Sequence, residues 1–141
     1  MSFLLDTNVV SELRKRPGVV DPGVLDWAQR HPARDLYISV VTVLEIELGV
    51  ARVERRDRQQ GAALREWMES GVLAGFAGRV LSVDVEVALR AAHLHVPDPR
   101  PERDAFIAAT ADAHGLTVVT RNLKDFQPMG VAASDPWAPG Q

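Results

Sequence analysis

Short apolar runs that stop at a polar residue, each followed by a stretch with helical spacing, constrain this chain more than any other feature. Phe3-Leu4-Leu5 is unbroken and ends at Asp6, as a buried strand does where its carboxyl end meets solvent. Residues 36–41 are β-branched and aromatic and read as a second strand. Val80-Leu81-Ser82-Val83 reads as a third, residues 116–120 as a fourth, and Val131-Ala132-Ala133 as a possible edge strand. Between them lie helical patterns. Thr7 is placed to cap a helix through Val9, Val10 and Leu13, closed by Arg14, Lys15 and Arg16 and then Pro17-Gly18. Asp21-Pro22 opens a second helix. Thr42-x-x-Glu45 has the form of a capping box, starting a helix with Leu44, Leu48 and Ala51 on its apolar stripe. A charged stretch, 52–60, leads into a helix with Leu64, Trp67 and Met68, and Asp84 caps a helix through Val87, Ala88 and Ala91. Residues 97–101 hold three prolines and form a loop, and residues 102–114 form a small-residue helix stopped by Gly115. Strands alternating with helices predict an α/β fold around a mostly parallel central sheet flanked by helices. In such sheets the functional crevice lies at the carboxyl ends of the strands.

Length allows one domain over residues 1–141, and a 46% apolar fraction is enough for a core. The chain has no cysteine, which excludes a disulfide scaffold, a thiolate zinc site and a cysteine nucleophile. Neither a secretory signal nor an apolar run of about 20 residues is present, so a cytoplasmic location with no membrane contact is expected. The net charge of -3 counts against nucleic acid at face value. Carboxylates gathered on a divalent ion would be neutralised locally, however. Of the 16 basic residues 14 are arginine, the side chain better suited to bidentate phosphate contacts, and they cluster at 14–16 and 52–58.

Three acids fall where this topology can gather them. Asp6 ends the first strand, Glu45 lies in the first turn of the helix after the second, and Asp104 lies in the first turn of the helix before residues 116–120. Asp125, in the loop after that strand, is a fourth. Each also has an ordinary structural role open to it: helix cap for Asp6, capping-box return for Glu45, dipole partner for Asp104 and turn residue for Asp125. Their convergence on one edge favours a shared task, because hard divalent ions prefer carboxylate oxygens and such a cluster can hold one or two of them.

Four ordered blocks carry a resemblance. Leu4-Leu5-Asp6-Thr7-Asn8-Val9-Val10-Ser11-Glu12-Leu13 is similar to the opening of PIN-domain ribonucleases, in particular the VapC-type toxins of type II toxin–antitoxin pairs. The blocks Ser39-Val40-Val41-Thr42-Val43-Leu44-Glu45-Ile46-Glu47-Leu48-Gly49, Asp104-Ala105-Phe106-Ile107-Ala108-Ala109-Thr110-Ala111 and Val119-Thr120-Arg121-Asn122-Leu123-Lys124-Asp125-Phe126 resemble the same family in the same order. The resemblance implies an endoribonuclease acting on structured cellular RNA, with Asp6, Glu45 and Asp104 as ligands of Mg2+ or Mn2+. It assigns a fourth catalytic acid to Asp125, with Asn122 as the alternative occupant. It further implies a homodimer, a VapB-type antitoxin and a toxin–antitoxin hetero-oligomer. Thr7, Asn8 and Thr120 are expected to orient the carboxylates, and Arg121 and Lys124 lie beside the site, where contact with flanking phosphates and a solvated loop are the two roles open to them. The competing class is a PIN-like module that binds RNA or protein without catalysis, and the retained acids argue against it, since mutually repelling carboxylates are costly to keep together.

Other residues are assigned to the fold. His93 and His95, two apart on a helix, point to different faces. Residues 52–58 read as a charged face or turn before an RNA track. Trp67 reads as core or dimer interface, and Trp137, between Pro136 and Ala138, as packing the tail onto the body. Val10, Leu13 and Leu48 are plausible contacts for a partner helix, with ordinary core as the competing role.

Overall fold

The computed structural model describes residues 1–137. Its centre is a five-stranded sheet of β1 (Phe3–Leu5), β2 (Leu36–Ser39), β3 (Val80–Leu81), β4 (Thr117–Val119) and β5 (Ala133–Ser134). The strand order is β3-β2-β1-β4-β5, and every pair is parallel. The expected mostly parallel sheet is thus parallel throughout, and residues 133–134 form its edge.

Parallel strands are buried on both faces, which is why their sequences do not alternate apolar with polar. Side chains alternate between the faces all the same. Phe3, Leu5, Ile38 and Val119 enter one core with Val9, Val24, Trp27, Ile46, Val50 and Met68. Leu4 and Val118 enter the other, with Ala105, Ile107, Ala108 and Phe126.

The helices are α1 (Thr7–Leu13), α2 (Pro22–Gln29), α3 (Val40–Arg56), α4 (Arg58–Glu66), α5 (Val85–Leu94), α6 (Glu102–His114) and α7 (Leu123–Phe126). Four local expectations are corrected. The cap of α1 is Asp6, whose Oδ1 accepts from the Thr7 amide at 2.8 Å, so Thr7 is the first helical residue. Residues 40 and 41 leave the strand for the helix, because the Ser39 hydroxyl accepts from the Val41 amide at 3.0 Å and starts α3 there. Thr42 therefore begins no capping box, and Glu45 sits in the second turn. The phase of α3 changes with its start: Val41, Thr42, Ile46 and Val50 are buried, while Leu44 is 52% exposed and Ala51 is also exposed.

Asp57 closes α3 and opens α4, its amide donating to Val53 O at 2.8 Å and its Oδ1 accepting from the Gln60 amide at 3.0 Å. The two helices then pack so closely that a Cβ on Gly61 would stand 2.6 Å from Glu54 Cα. Arg65 of α4 fastens them by reaching both Glu47 and Glu54 of α3. Residues 67–73 continue α4 as a π-helical turn that buries Met68 and Val72. Asp21 and Asp84 cap α2 and α5, and Gly115, at φ +67°, ends α6. Buried Glu12 serves the fold, accepting from the Asp21 amide at 2.8 Å and pairing with Lys15 at 2.9 Å, which holds its carboxyl below the usual range. Among the described residues, no helix is long and apolar enough to cross a membrane.

Candidate active site at the sheet switch point

From β1 the chain builds outward to β2 and β3, and β4 and β5 then join on the other side of β1. The crevice of an open α/β sheet lies at such a reversal, outside the carboxyl ends of the strands. Asp6 follows β1 there and Thr120 follows β4.

Asp6 is only 5% exposed. Its Oδ2 accepts from the Thr120 hydroxyl at 2.8 Å and from Asn8 Nδ2 at 3.3 Å, and its Oδ1 accepts from the Thr7 amide. Thr120 is fully buried, and its Oγ1 in turn accepts from the Asn122 amide at 3.0 Å. Burial pushes the Asp6 carboxyl above its ordinary range; the hydrogen bonds from Thr120 and Thr7 oppose this, and the charges of Glu45 and Asp125 add to it.

Glu45 reaches the same place from α3. Its Oε1 accepts from the Thr7 hydroxyl at 2.6 Å, and its Oε2 lies 3.6 Å from Arg103 Nη1. Thr7 Oγ1 also stands 3.0 Å from the fully buried Thr42 hydroxyl. Asp104, half-buried in the first turn of α6, has its carboxyl pushed up to about 6, first by burial and then by the charges of Asp6, Asp125 and Glu45. Asp125 stands in α7, its amide donating to Asn122 O at 3.0 Å. Four carboxylates from four separate elements therefore sense one another across one end of the sheet.

Of the orienting residues expected, Thr7 and Thr120 each donate a hydroxyl to a carboxylate, and Asn8 donates to Asp6 while its Oδ1 accepts from the Arg121 amide at 3.3 Å. Asn122 contributes its backbone to Thr120, and its side chain is exposed and caps nothing. Two neighbours of the site lie outside the sequence expectation: Thr42, whose position three before Glu45 suggests a cap, and Arg103, whose adjacency to Asp104 was the available signal.

Among the described residues no three Asp, Glu or His side chains stand gathered to hold one ion as they are. The physical reason is visible in the contacts. The carboxylates face separate donors, Asp6 the Thr120 hydroxyl and Glu45 the Thr7 hydroxyl and Arg103. The donor set is all hard oxygen, the chemistry that suits Mg2+ or Mn2+. The Asp104 carboxylate keeps no hydrogen bond or ion pair among the described residues.

A parallel five-stranded sheet with acids collected at its switch point defines a class, and comparison with known proteins names it. The PIN-domain family model matches residues 3–129, and the chain belongs to that family. It is 40% identical to the plasmid stability protein StbB of Pseudomonas syringae over 96% of this chain and 98% of that one. Toxin FitB of Neisseria gonorrhoeae is 38% identical over 96% and 98%, and the VapC ribonuclease Y4jK of Sinorhizobium fredii 36% over 97% and 99%. Among solved structures, FitAB bound to a DNA fragment superposes with a TM-score of 0.87 at 35% identity, covering 99% of this chain and 98% of that one.

Proposed function

We propose that this chain is a metal-dependent endoribonuclease and the toxin member of a type II toxin–antitoxin pair. The observation that carries the reading is the convergence of Asp6, Glu45, Asp104 and Asp125 on the sheet switch point, where burial first and the neighbouring charges second raise Asp104 to about 6. A fold keeps such a cluster only at a cost, which a bound cation offsets. Relatives named a VapC ribonuclease and a tRNA(fMet)-specific endonuclease support the chemistry, and a FitAB structure supports an antitoxin partner.

Asp6, Glu45 and Asp104 would hold Mg2+ or Mn2+, with Asp125 completing the set. When bound, the ion supplies charge neutralisation at the scissile phosphate and acidifies a water for attack. The chain's own groups do the positioning. Thr120 and the Thr7 amide fix both oxygens of Asp6, and the Thr7 hydroxyl fixes Glu45, so each carboxylate presents its remaining lone pairs in a set direction. Asp104 lacks such a donor and is free to turn toward a cation.

The partner surfaces divide. Val10 is 5% exposed and belongs to the core, so it offers a partner helix nothing. The groove lined by Thr7, Ser11, Arg14, Glu45, Ile46 and Trp67 opens beside the acids and suits an antitoxin segment. Val40, Leu44, Val85 and Leu89 remain exposed and suit a second copy of the chain in a homodimer.

The test is cleavage of cellular RNA by the purified chain with Mg2+, with chelator, and as Asp6→Asn, followed by sequencing of the RNA ends. Discrete new ends that need both the ion and Asp6 are expected. RNA left intact by the metal-loaded chain, or cut equally by the variant, would refute the reading.

A further inference from the structure

Several of the chain's cations have carboxylate partners. Lys15 pairs with Glu12, Arg65 with Glu47 and Glu54, Arg90 with Glu86 and Asp112, and Arg103 approaches Glu45. Arg121 differs. Its amide donates to Asn8 Oδ1, and Asn8 donates to Asp6, so its backbone is one side chain removed from the acidic centre. Yet among the described residues its guanidinium pairs with no carboxylate. It lies over the Trp137 indole instead, 5.1 Å from the ring centroid. A mobile cation rooted beside four carboxylates would be drawn onto them, and the indole holds it off at the cost of a weaker cation–π contact.

Trp137 is itself fixed. Its amide donates to Asp135 Oδ1 at 2.8 Å, and its ring packs half-buried against the core that contains Phe3, Leu5 and Val119. The tail beyond β5 thus does more than cover the body, the role the sequence alone suggests for Trp137. It carries an aromatic face to the rim of the site, where an exposed arginine is stacked and kept available.

We propose that Arg121 is the chain's contact for an RNA phosphate neighbouring the one that is cut, and that Trp137 is a positioning residue that keeps this guanidinium out of the carboxylate cluster. This rests on the ribonuclease reading and deepens it. An arginine is suited to the task because its planar fork binds phosphate oxygens bidentately while its face stacks on the ring. Single-stranded RNA is the fitting substrate form, since its backbone can bend to bring a flanking phosphate to one exposed point.

The probe is a short fluorescein-labelled single-stranded RNA of mixed sequence, with binding followed by anisotropy in Mg2+ on the Asp6→Asn background so that nothing is cut. Salt is varied between about 50 and 200 mM. Arg121→Gln should weaken binding roughly 5-fold and lower the slope of log affinity against log salt by about 0.7, the loss of one phosphate contact on a single strand. Arg56→Gln removes the same charge about 16 Å further along α3 than Glu45, and should leave the slope unchanged. Positioning is read separately, from Mn2+ titrated calorimetrically into chains that keep Asp6. Trp137→Ala should bind Mn2+ several-fold more weakly, because the released guanidinium competes for the acids, and Trp137→Ala with Arg121→Gln should recover the affinity. Trp137→Phe, which keeps a ring face, should behave as the parent.

An unchanged affinity and slope for Arg121→Gln, on a background that does bind RNA, would overturn this inference and leave the nuclease reading standing. Loss of partner-protein binding by Arg121→Gln with RNA binding intact would reassign the contact to protein and overturn it equally. Failure of the double variant to recover Mn2+ binding would remove the positioning role of Trp137. A background chain that binds no RNA at any salt, with a parent that cuts none, would end both readings together.

Discussion

Replacing Asp104 by Asn should make the metal-free protein more stable while ending its activity. The carboxyl of Asp104 rises from an ordinary 3.8 to about 6 in the folded chain, which means that its charged form is disfavoured there relative to the unfolded chain. Two pH units correspond to about 3 kcal/mol. Asp104 is half-buried and solvent screens part of this, so about 1–2 kcal/mol is expected. For a chain of this size that is about 3–7 °C in Tm. The sign follows from linkage. A raised carboxyl contributes stability that is fully present below its unfolded value and is lost as pH rises through the folded one. The advantage of Asp104→Asn is therefore full above about pH 6.5, shrinks through 6, and vanishes below about 3.8, where the native side chain is neutral in both states. Thermal unfolding of both proteins in chelator across this range is the assay. Adding Mn2+ should then raise the parent's Tm and leave the variant's nearly unchanged, since only a chain that binds the ion gains by mass action. A variant no more stable than the parent at pH 7, or a difference that ignores pH, would show that burial and the neighbouring acids do not disfavour the Asp104 carboxylate as described.

Glu45→Gln should lose activity by more than about 100-fold with a Tm change under about 2 °C, because the amide oxygen still accepts from Thr7 while the charge is gone; full activity in a discontinuous RNA cleavage assay would rule out a ligand role. Thr120→Val keeps the shape but removes the donor to Asp6 and the acceptor for the Asn122 amide in a fully buried position, so urea unfolding should show a loss of about 1–3 kcal/mol, with activity down about 10- to 100-fold. Gly61→Ala should cost about 1–3 kcal/mol by forcing α3 and α4 apart, and should leave Mn2+ affinity unaltered because the contact is remote from the acids.

What the sequence reveals depends on how local the cause is. Asp6 and Asp104 are readable because a strand ending and a helix beginning are each marked within a few residues, by Leu5 before Asp6 and by Pro101 before Glu102. Glu45 is harder. Val40 and Val41 favour a strand on their own, and the competing influence is one hydroxyl, that of Ser39, which caps the helix three residues earlier than the Thr42 pattern suggests. That shift moves the buried stripe to Ile46 and Val50 and leaves Leu44 exposed. The π-helical turn at residues 67–73 carries no residue that marks it, because it follows from how Met68 and Val72 meet a core built by distant strands. Between Asn122 and Asp125, spacing alone leaves both open. The fold gives them different surroundings: the charge of Asp125 reaches Asp6 and Asp104, while Asn122 donates its backbone amide to Thr120.

The strand at the middle of the sheet is the first one made. β1 must wait for β4, and the hydrogen bond from Thr120 to Asp6 spans 114 positions of sequence. Pairings that distant close late, and domains complete themselves only when the last element they require is available. A chain still growing on the ribosome therefore displays Asp6 and then Glu45 long before it owns a working edge. Synthesis interrupted before residue 117 yields a product with Asp6, Glu45 and Asp104 but without β4, Thr120 or Asp125. Such a fragment keeps the Thr7 and Asn8 donors to Asp6 but lacks the Thr120 hydroxyl, so the acidic edge is completed only once β4 has been made.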